Sequence, residues 1–285
     1  PVKEGKVREI YDVGDALIMV ATDRISAFDH ILKNTITKKG EVLTKMSAFW
    51  FDLTKDLIPN HMISIDAKDM PEFFSSEEFI GKSTLCKKLT MIPIECIVRG
   101  YITGSGYESY KKNKTVCGIP LPDGLKDCSK LPTALFTPST KAEIGDHDEN
   151  IDFDTCVKVC EKAFPDKGEK IANEIREKAL AVYNKCADYA LTKGIIIADT
   201  KFEFGLDEND NVILADEVLT PDSSRFWRLD GYEAGHSQPS FDKQFVRDWL
   251  KAHPDSNYDL PQDVIDKTIA LYKEAYHMLT GQTIE

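Results

Sequence analysis

The chain has 285 residues, 42% of them hydrophobic, and carries 36 Lys and Arg against 48 Asp and Glu, a formal net charge of −12. That length and apolar content suffice for one large domain or two ordinary ones and exclude a disordered tail or a peptide-sized module. The negative balance excludes broad attraction to nucleic acid or an anionic membrane, so any bound phosphate has to be held locally.

No apolar run approaches the roughly 18 residues needed to cross a bilayer. The opening PVKEGKVREIY lacks the apolar stretch of a signal peptide. Seven cysteines form no CxxC, and an odd number cannot all pair within one chain, which fits a reducing compartment. The expectation is a soluble, cytoplasmic protein without nucleic-acid or membrane partners. Its oligomeric state is not written in the sequence.

In chain order, VREIYDV and ALIMVATD flank Gly14-Asp15 and predict an antiparallel hairpin. EVLTKMSAFWFDLTKDL places Leu43, Met46, Phe49 (or Trp50), Leu53 and Leu57 on one face of a helix. KKLTMIPIECIVRGYI reads as a strand pair broken at Pro93, and the segment from Lys111 to Thr140 as loops with short strands. The pattern turns helical at Asp152. There Cys156 and Cys160 stack at i, i+4 as buried small hydrophobes, with no third ligand nearby for zinc. Glu169–Thr192 repeats apolar residues at three- and four-residue steps and stops at Gly194. GIIIADTKFEFG and NVILADEVL are strands joined by LDENDN, and FDKQFVRDWLKAH and PQDVIDKTIALYKEAYHMLTG are closing helices. This organisation predicts an α+β protein with a mostly β lobe over residues 1–92 and a larger α+β lobe over 93–285, joined near Leu89–Ile97.

The hairpin over residues 199–216 carries the most chemistry. Strand alternation puts Asp199, Lys201 and Glu203 on one face and Phe202 and Phe204 on the other. A turn centred between Asn209 and Asp210 sets Glu203 directly across from Asp216, and like charges so placed repel. A divalent cation converts that repulsion into coordination, and few hard oxygen ligands suit Mg2+ with a phosphate substrate. An exposed acidic hairpin accounts for the same residues equally well. Asp207, Asn209 and Asn211 begin like a calcium loop, but Val212 and Val218 stand where that loop needs Gly and Glu.

Gly5-Lys6-Val7-Arg8 places two cations on one strand face beside a glycine that admits close approach of a phosphate; a solvated strand face is the plainer reading. No GxxxxGK[ST] or GxGxxG is present. RGYITGSGY at 99–107 has three glycines, a Thr, a Ser and an Arg, and reads as a turn offering N–H groups to an anion. FTPSTKAEIGDHDENI at 136–151 concentrates Lys141, His147 and Asp148, able to orient a polar substrate, with His147 a candidate base. LTPDSSRFW at 219–227 brings Asp222 and Arg225 to the mouth of the hairpin site, Arg225 being suited to bidentate capture of phosphate or carboxylate.

GKVREIY, ATDRISAFD, IVRGYITGSGYESY, FTPSTKAEIGDHDENI, IIADTKFEFG, DEVLTPDSSRFW and SQPSFDKQFVRDWL together resemble the phosphoribosylaminoimidazole-succinocarboxamide synthase (SAICAR synthase) family, in its order and over almost the whole chain. The resemblance implies a two-lobed ATP-binding fold related to kinases and ATP-grasp enzymes, with antiparallel sheets in both lobes and the nucleotide between them. It implies a purine-biosynthesis ligase that converts ATP, 5-aminoimidazole-4-carboxylate ribonucleotide and L-aspartate to ADP, phosphate and the succinocarboxamide ribonucleotide. By motif, Lys6 and Arg8 would hold ATP phosphates, and Lys88, Met91 and Glu95 would lie by the adenine. Glu203 and Asp216 would bind magnesium, with Asp199 and Lys201 near the reacting phosphate. Arg99, Ser105 and Arg225 would hold the ribonucleotide, with Asp222 at the mouth of that site. Lys141 and Asp148 would help position aspartate or the carboxylate.

A carboxylate repels an attacking amine, so an acyl phosphate is the expected activated intermediate. Two other readings compete. A small-molecule kinase would release ADP without aspartate, and a nucleotide-binding regulator would lack part of this set of charged residues.

Overall fold

The computed structural model describes residues 1–141 and 148–285. In chain order the elements are β1 (Lys3–Glu4), β2 (Arg8–Asp12), β3 (Ala16–Ala21), β4 (Arg24–Ala27), β5 (His30–Thr35), α1 (Lys39–Thr54), β6 (Met62–Ser64), β7 (Ser83–Lys87), β8 (Thr90–Met91) and β9 (Ile94–Ile102). There follow α2 (Gly104–Asn113), β10 (Thr115–Val116), β11 (Ile119–Pro120), β12 (Ser129–Phe136), β13 (Ser139–Thr140), α3 (Phe153–Ala163) and α4 (Gly168–Thr192). The chain closes with β14 (Ile195–Leu206), β15 (Val212–Ala215), β16 (Ser224–Arg228), α5 (Gln244–Ala252) and α6 (Gln262–Thr280).

Two antiparallel sheets dominate. The first orders β1-β2-β3-β7-β6, with Arg8 paired to Ala21 across the expected hairpin. The second is built on β14, which pairs with β8, β9, β15 and β16. The predicted strand pair at Pro93 is therefore corrected. Thr90–Met91 and Ile94–Ile102 do not pair with each other; both run antiparallel to β14. Pro93 has no N–H to give to a ladder, so the line of strand breaks there and resumes in a shifted register. The 99–107 segment is likewise not a loop: Arg99–Ile102 ends β9 and Gly104 opens α2.

Helix α4 covers the second sheet with Ile171, Ile175, Ala179, Val182 and Cys186, all buried in one core with Phe202 and Phe204. The Ile, Val and Phe side chains among these each contribute about 1.5–3 kcal/mol on burial. Cys156 and Cys160 are fully buried in the same core. Helix α1 joins this core through Leu43, Met46 and Trp50. The β4–β5 hairpin packs through Ile25, Ala27, Leu32 and Ile36 on Val246, Leu250 and Val264 of α5 and α6. The first sheet and the β14–β15 hairpin thus face each other across a cleft of about 480 Å³. Among the described residues, no helix is long and apolar enough to cross a membrane.

Candidate active site

The cleft has an apolar end, lined by Ile10, Leu17, Met19, Leu89 and Met91, and a charged end. The charged end begins on β14, where Phe202 and Phe204 are fully buried while Lys201 and Glu203 face the cleft. The register corrects one expectation: Glu203 lies opposite Ala215, not Asp216. Asp216 follows the end of β15 with φ 61°. That left-handed conformation, which Asp tolerates, turns its carboxylate back so that Glu203 and Asp216 interact directly all the same.

Cations surround the pair. Arg8 is hydrogen-bonded to Asp216 and lies 3.9 Å from the Glu217 carboxylate. Lys141 pairs with Glu203, and Lys201 Nζ lies 3.4 Å from Glu95 Oε2. Burial, then the Asp216 charge, pushes the Glu203 carboxyl up to about 8. Burial acts the same way on Asp216, but Arg8 outweighs it and holds this carboxyl well below the usual range. Burial would lower the Arg8 guanidinium, yet Asp216 and Glu217 raise it. Two carboxylates in one place, one raised by burial and by its neighbour and the other held low by Arg8, form a donor set that fits a hard divalent cation.

A second cluster lies at the other end of the same strand face. Asp199 is level with both Arg99 and Arg225 in the ladder. Its Oδ2 lies 2.5 Å from Arg225 Nη1 and 3.9 Å from Arg99 Nη1. Arg99 also donates to Thr137 Oγ1 at 2.9 Å and to Ser105 Oγ at 3.1 Å. The glycines of the 99–107 segment make room for these groups. A Cβ on Gly104 would stand 2.4 Å from Arg225 Nη2, and one on Gly106 would stand 3.1 Å from Arg99 Nη1. Beside the backbone donors that the sequence suggests, these glycines leave space for two guanidiniums.

Lys6, Arg8, Met91, Lys141, Lys201, Glu203, Asp216 and Asp222 therefore share one cleft, and Arg99, Ser105, Asp199 and Arg225 form the adjoining cluster. Lys6 also reaches Asp29 on the β4–β5 turn, 2.7 Å away. Lys88 is tied to Asp12 at 2.9 Å on the outside. Asp148 is exposed, and His147 lies outside the described residues. Asp222 stands in the wall, with Lys39 Nζ 2.7 Å from Oδ2 and the Tyr272 hydroxyl donating to Oδ1 at 2.6 Å. Sequence reasoning missed Lys39, Tyr272, Glu217 and His61. Buried His61 lies against Asp216 with Nε2 unpartnered. No local pattern marks Lys39, Tyr272 or His61, whose partners are distant in sequence; Glu217, which accepts from the Thr220 hydroxyl at 2.8 Å, lies beside Asp216 in the chain.

The SAICAR synthetase family profile matches residues 1–262. The chain belongs to the SAICAR synthetase family. A phosphoribosylaminoimidazole-succinocarboxamide synthase from Lachnospira eligens is 69% identical over 279 residues, 98% of this chain and 94% of the relative. The solved SAICAR synthase from Saccharomyces cerevisiae, complexed with SAICAR, is 45% identical with a TM-score of 0.89, covering all of this chain and 95% of its own. A type-2 SAICAR synthetase in complex with ADP is 28% identical with a TM-score of 0.72, each chain 99% covered. As a SAICAR synthetase the chain is an ATP-dependent carbon–nitrogen ligase of purine biosynthesis that joins L-aspartate to the carboxylate of 5-aminoimidazole-4-carboxylate ribonucleotide. The small-molecule kinase alternative is set aside.

Proposed function

We propose that the ligase activates its ribonucleotide carboxylate as an acyl phosphate in this cleft, with the Glu203–Asp216 pair as the magnesium site. The observation that carries the reading is that these two carboxylates meet where a cation-lined end adjoins an apolar one. The apolar end, with Met91 on the segment from Lys88 to Glu95, suits an adenine. Lys6 and Arg8 on the first sheet then lie along the triphosphate. Glu203 and Asp216 would hold magnesium, which would neutralise phosphate charge there.

The protein's own groups do the rest. Arg8 and Lys201 flank the place where the γ-phosphoryl group passes to a carboxylate oxygen, releasing ADP. Removing one such positioned charge commonly costs about 3 kcal/mol of barrier. Arg99, Ser105 and Arg225 hold the ribonucleotide, and Asp199 fixes the two guanidiniums relative to each other. Lys141, at the same carboxylate pair, and Asp148 help position aspartate or the carboxylate. The aspartate amine then attacks the acyl carbon, forming the C–N bond as phosphate leaves. Closure of the first sheet over the β14–β15 hairpin would keep water from the acyl phosphate. The seven free cysteines, six of them buried, support a reducing, cytoplasmic setting. An ADP-release assay with ATP, ribonucleotide and aspartate omitted in turn tests the reading. Release with aspartate omitted, at the full rate and without product, would count against it.

A further inference from the structure

Lys243 is a cation of the cleft that the reading above leaves without a task. Lys243, which caps the start of α5, lines the cleft beside Ser26, Asp222 and Ser223. Arg8, Lys141 and Lys201 each face a carboxylate across the same space. Among the described residues, Lys243 Nζ makes one hydrogen bond, 3.3 Å to the Ser26 carbonyl. The nearest acid in the wall, Asp222, has both oxygens engaged by Lys39 and Tyr272. An ammonium carries three donors, so Lys243 has N–H groups to offer a ligand. Burial, helped by Lys39 and Arg247, lowers its proton affinity against the pull of Asp222 and Glu217.

The place of Lys243 relative to the chemistry follows from the backbone. The Ser223 carbonyl accepts the Lys201 N–H at 3.1 Å, so residues 222–223 stand against the β14 face that carries Lys201. Lys243 shares that wall with Ser223, and its chain neighbour Asp242 acts on the Arg225 guanidinium, so the wall runs from the phosphoryl-transfer end toward the Arg99–Arg225 cluster.

We propose that Lys243, which lines the cleft with Ser26 and Ser223, binds a carboxylate of the amino-acid substrate. The inference rests on the proposed assignment of the other substrates. ATP phosphates lie along Lys6 and Arg8 and the ribonucleotide on Arg99 and Arg225; Lys141, already set near aspartate, is paired with Glu203, which leaves Lys243 to meet a carboxylate of the dicarboxylate. A fixed cation on a carboxylate anchors aspartate by the end that does not react and leaves the amine free to reach the acyl carbon.

Lys243→Gln keeps a donor for the Ser26 carbonyl and deletes the charge; Lys243→Met deletes both. Steady-state kinetics should show KM for L-aspartate raised by about ten- to a hundredfold in both, with KM for ATP and ribonucleotide nearly unchanged. Succinate, a dicarboxylate without the amine, should lose potency as an inhibitor by the same factor, which loss of a proton acceptor alone would not produce. A variant-free measurement runs alongside: succinate, with ADP and ribonucleotide present, should shield Lys243 of the wild-type enzyme from acetylation, read by peptide mass spectrometry. An unchanged KM for aspartate, an effect confined to ATP, or labelling indifferent to succinate overturns the inference. Wild-type enzyme without aspartate-dependent ADP release would instead overturn the proposed function itself.

Discussion

Glu203 faces Ala215 across the β14–β15 ladder, yet its carboxyl group meets that of Asp216 one residue further on. The left-handed backbone at Asp216, φ 61°, makes the meeting possible, and such a conformation costs about 1–3 kcal/mol at a residue other than glycine. The surrounding contacts offset it: Arg8 binds the carboxylate from the opposite sheet.

Asp216→Asn tests the pair directly. Asn tolerates the left-handed conformation but lacks the charge. Magnesium-dependent turnover should fall by about a hundredfold or more, while the unfolding midpoint moves by only a few degrees. Calorimetric titration with magnesium and nucleotide should show the lost site. Near-wild-type rates would remove the metal assignment.

Arg225→Ala leaves Asp199 with Arg99 alone, 3.9 Å away. KM for the ribonucleotide should rise by about ten- to a hundredfold, with KM for ATP little changed. A loss confined to ATP affinity would place the ribonucleotide elsewhere.

Gly104→Ala probes the same guanidinium without touching it chemically. The new Cβ would fall 2.4 Å from Arg225 Nη2, and the flexible end of Arg225 can yield. With φ 56° at Gly104, the substitution should cost about 1 kcal/mol of stability and raise KM for the ribonucleotide severalfold. Thermal unfolding and kinetics on one preparation separate the two effects; unchanged kinetics would show that Arg225 has room to spare.

Asp222 is nearly inaccessible, its side chain 4% exposed and that of its partner Lys39 wholly buried. Burial alone would raise the Asp222 carboxyl, but Lys39 and Lys243, with hydrogen bonds from Lys39 and Tyr272, hold it well below the usual range. Asp222→Asn should therefore cost about 3–5 kcal/mol at neutral pH, because Lys39 loses its counter-charge. A depressed carboxyl stabilises the fold above its unfolded value of about 4, and that contribution fades as pH falls below it toward the folded value. Urea unfolding at pH 7, 5 and 3 should show the variant and wild type converging in acid; a constant gap would contradict the linkage.

The amino-acid sequence alone determined what short-range periodicity can encode. Two-residue alternation placed Lys201 and Glu203 opposite Phe202 and Phe204, and three- and four-residue spacing marked α1, α4 and α6. The ordered motifs marked the family, and the charges of the cleft lay within them. The tertiary structure decided the rest. Hairpin register depends on the turn, and a shift of one residue moved Asp216 off the Glu203 position; only its own φ brought it back. Lys39 and Asp222, 183 residues apart, become a pair because α1 packs into the core beneath the cleft. The β4–β5 hairpin leaves the N-terminal sheet for α5 and α6, which brings Ser26 to Lys243, 217 residues away. That Gly104 and Gly106 also leave space for two guanidiniums could be seen only once Arg225 and Arg99 were folded against them. Local backbone preferences act over a few residues and can be read from them. Burial of the remaining apolar surface is a property of the whole chain, and it selects which distant charges share a wall.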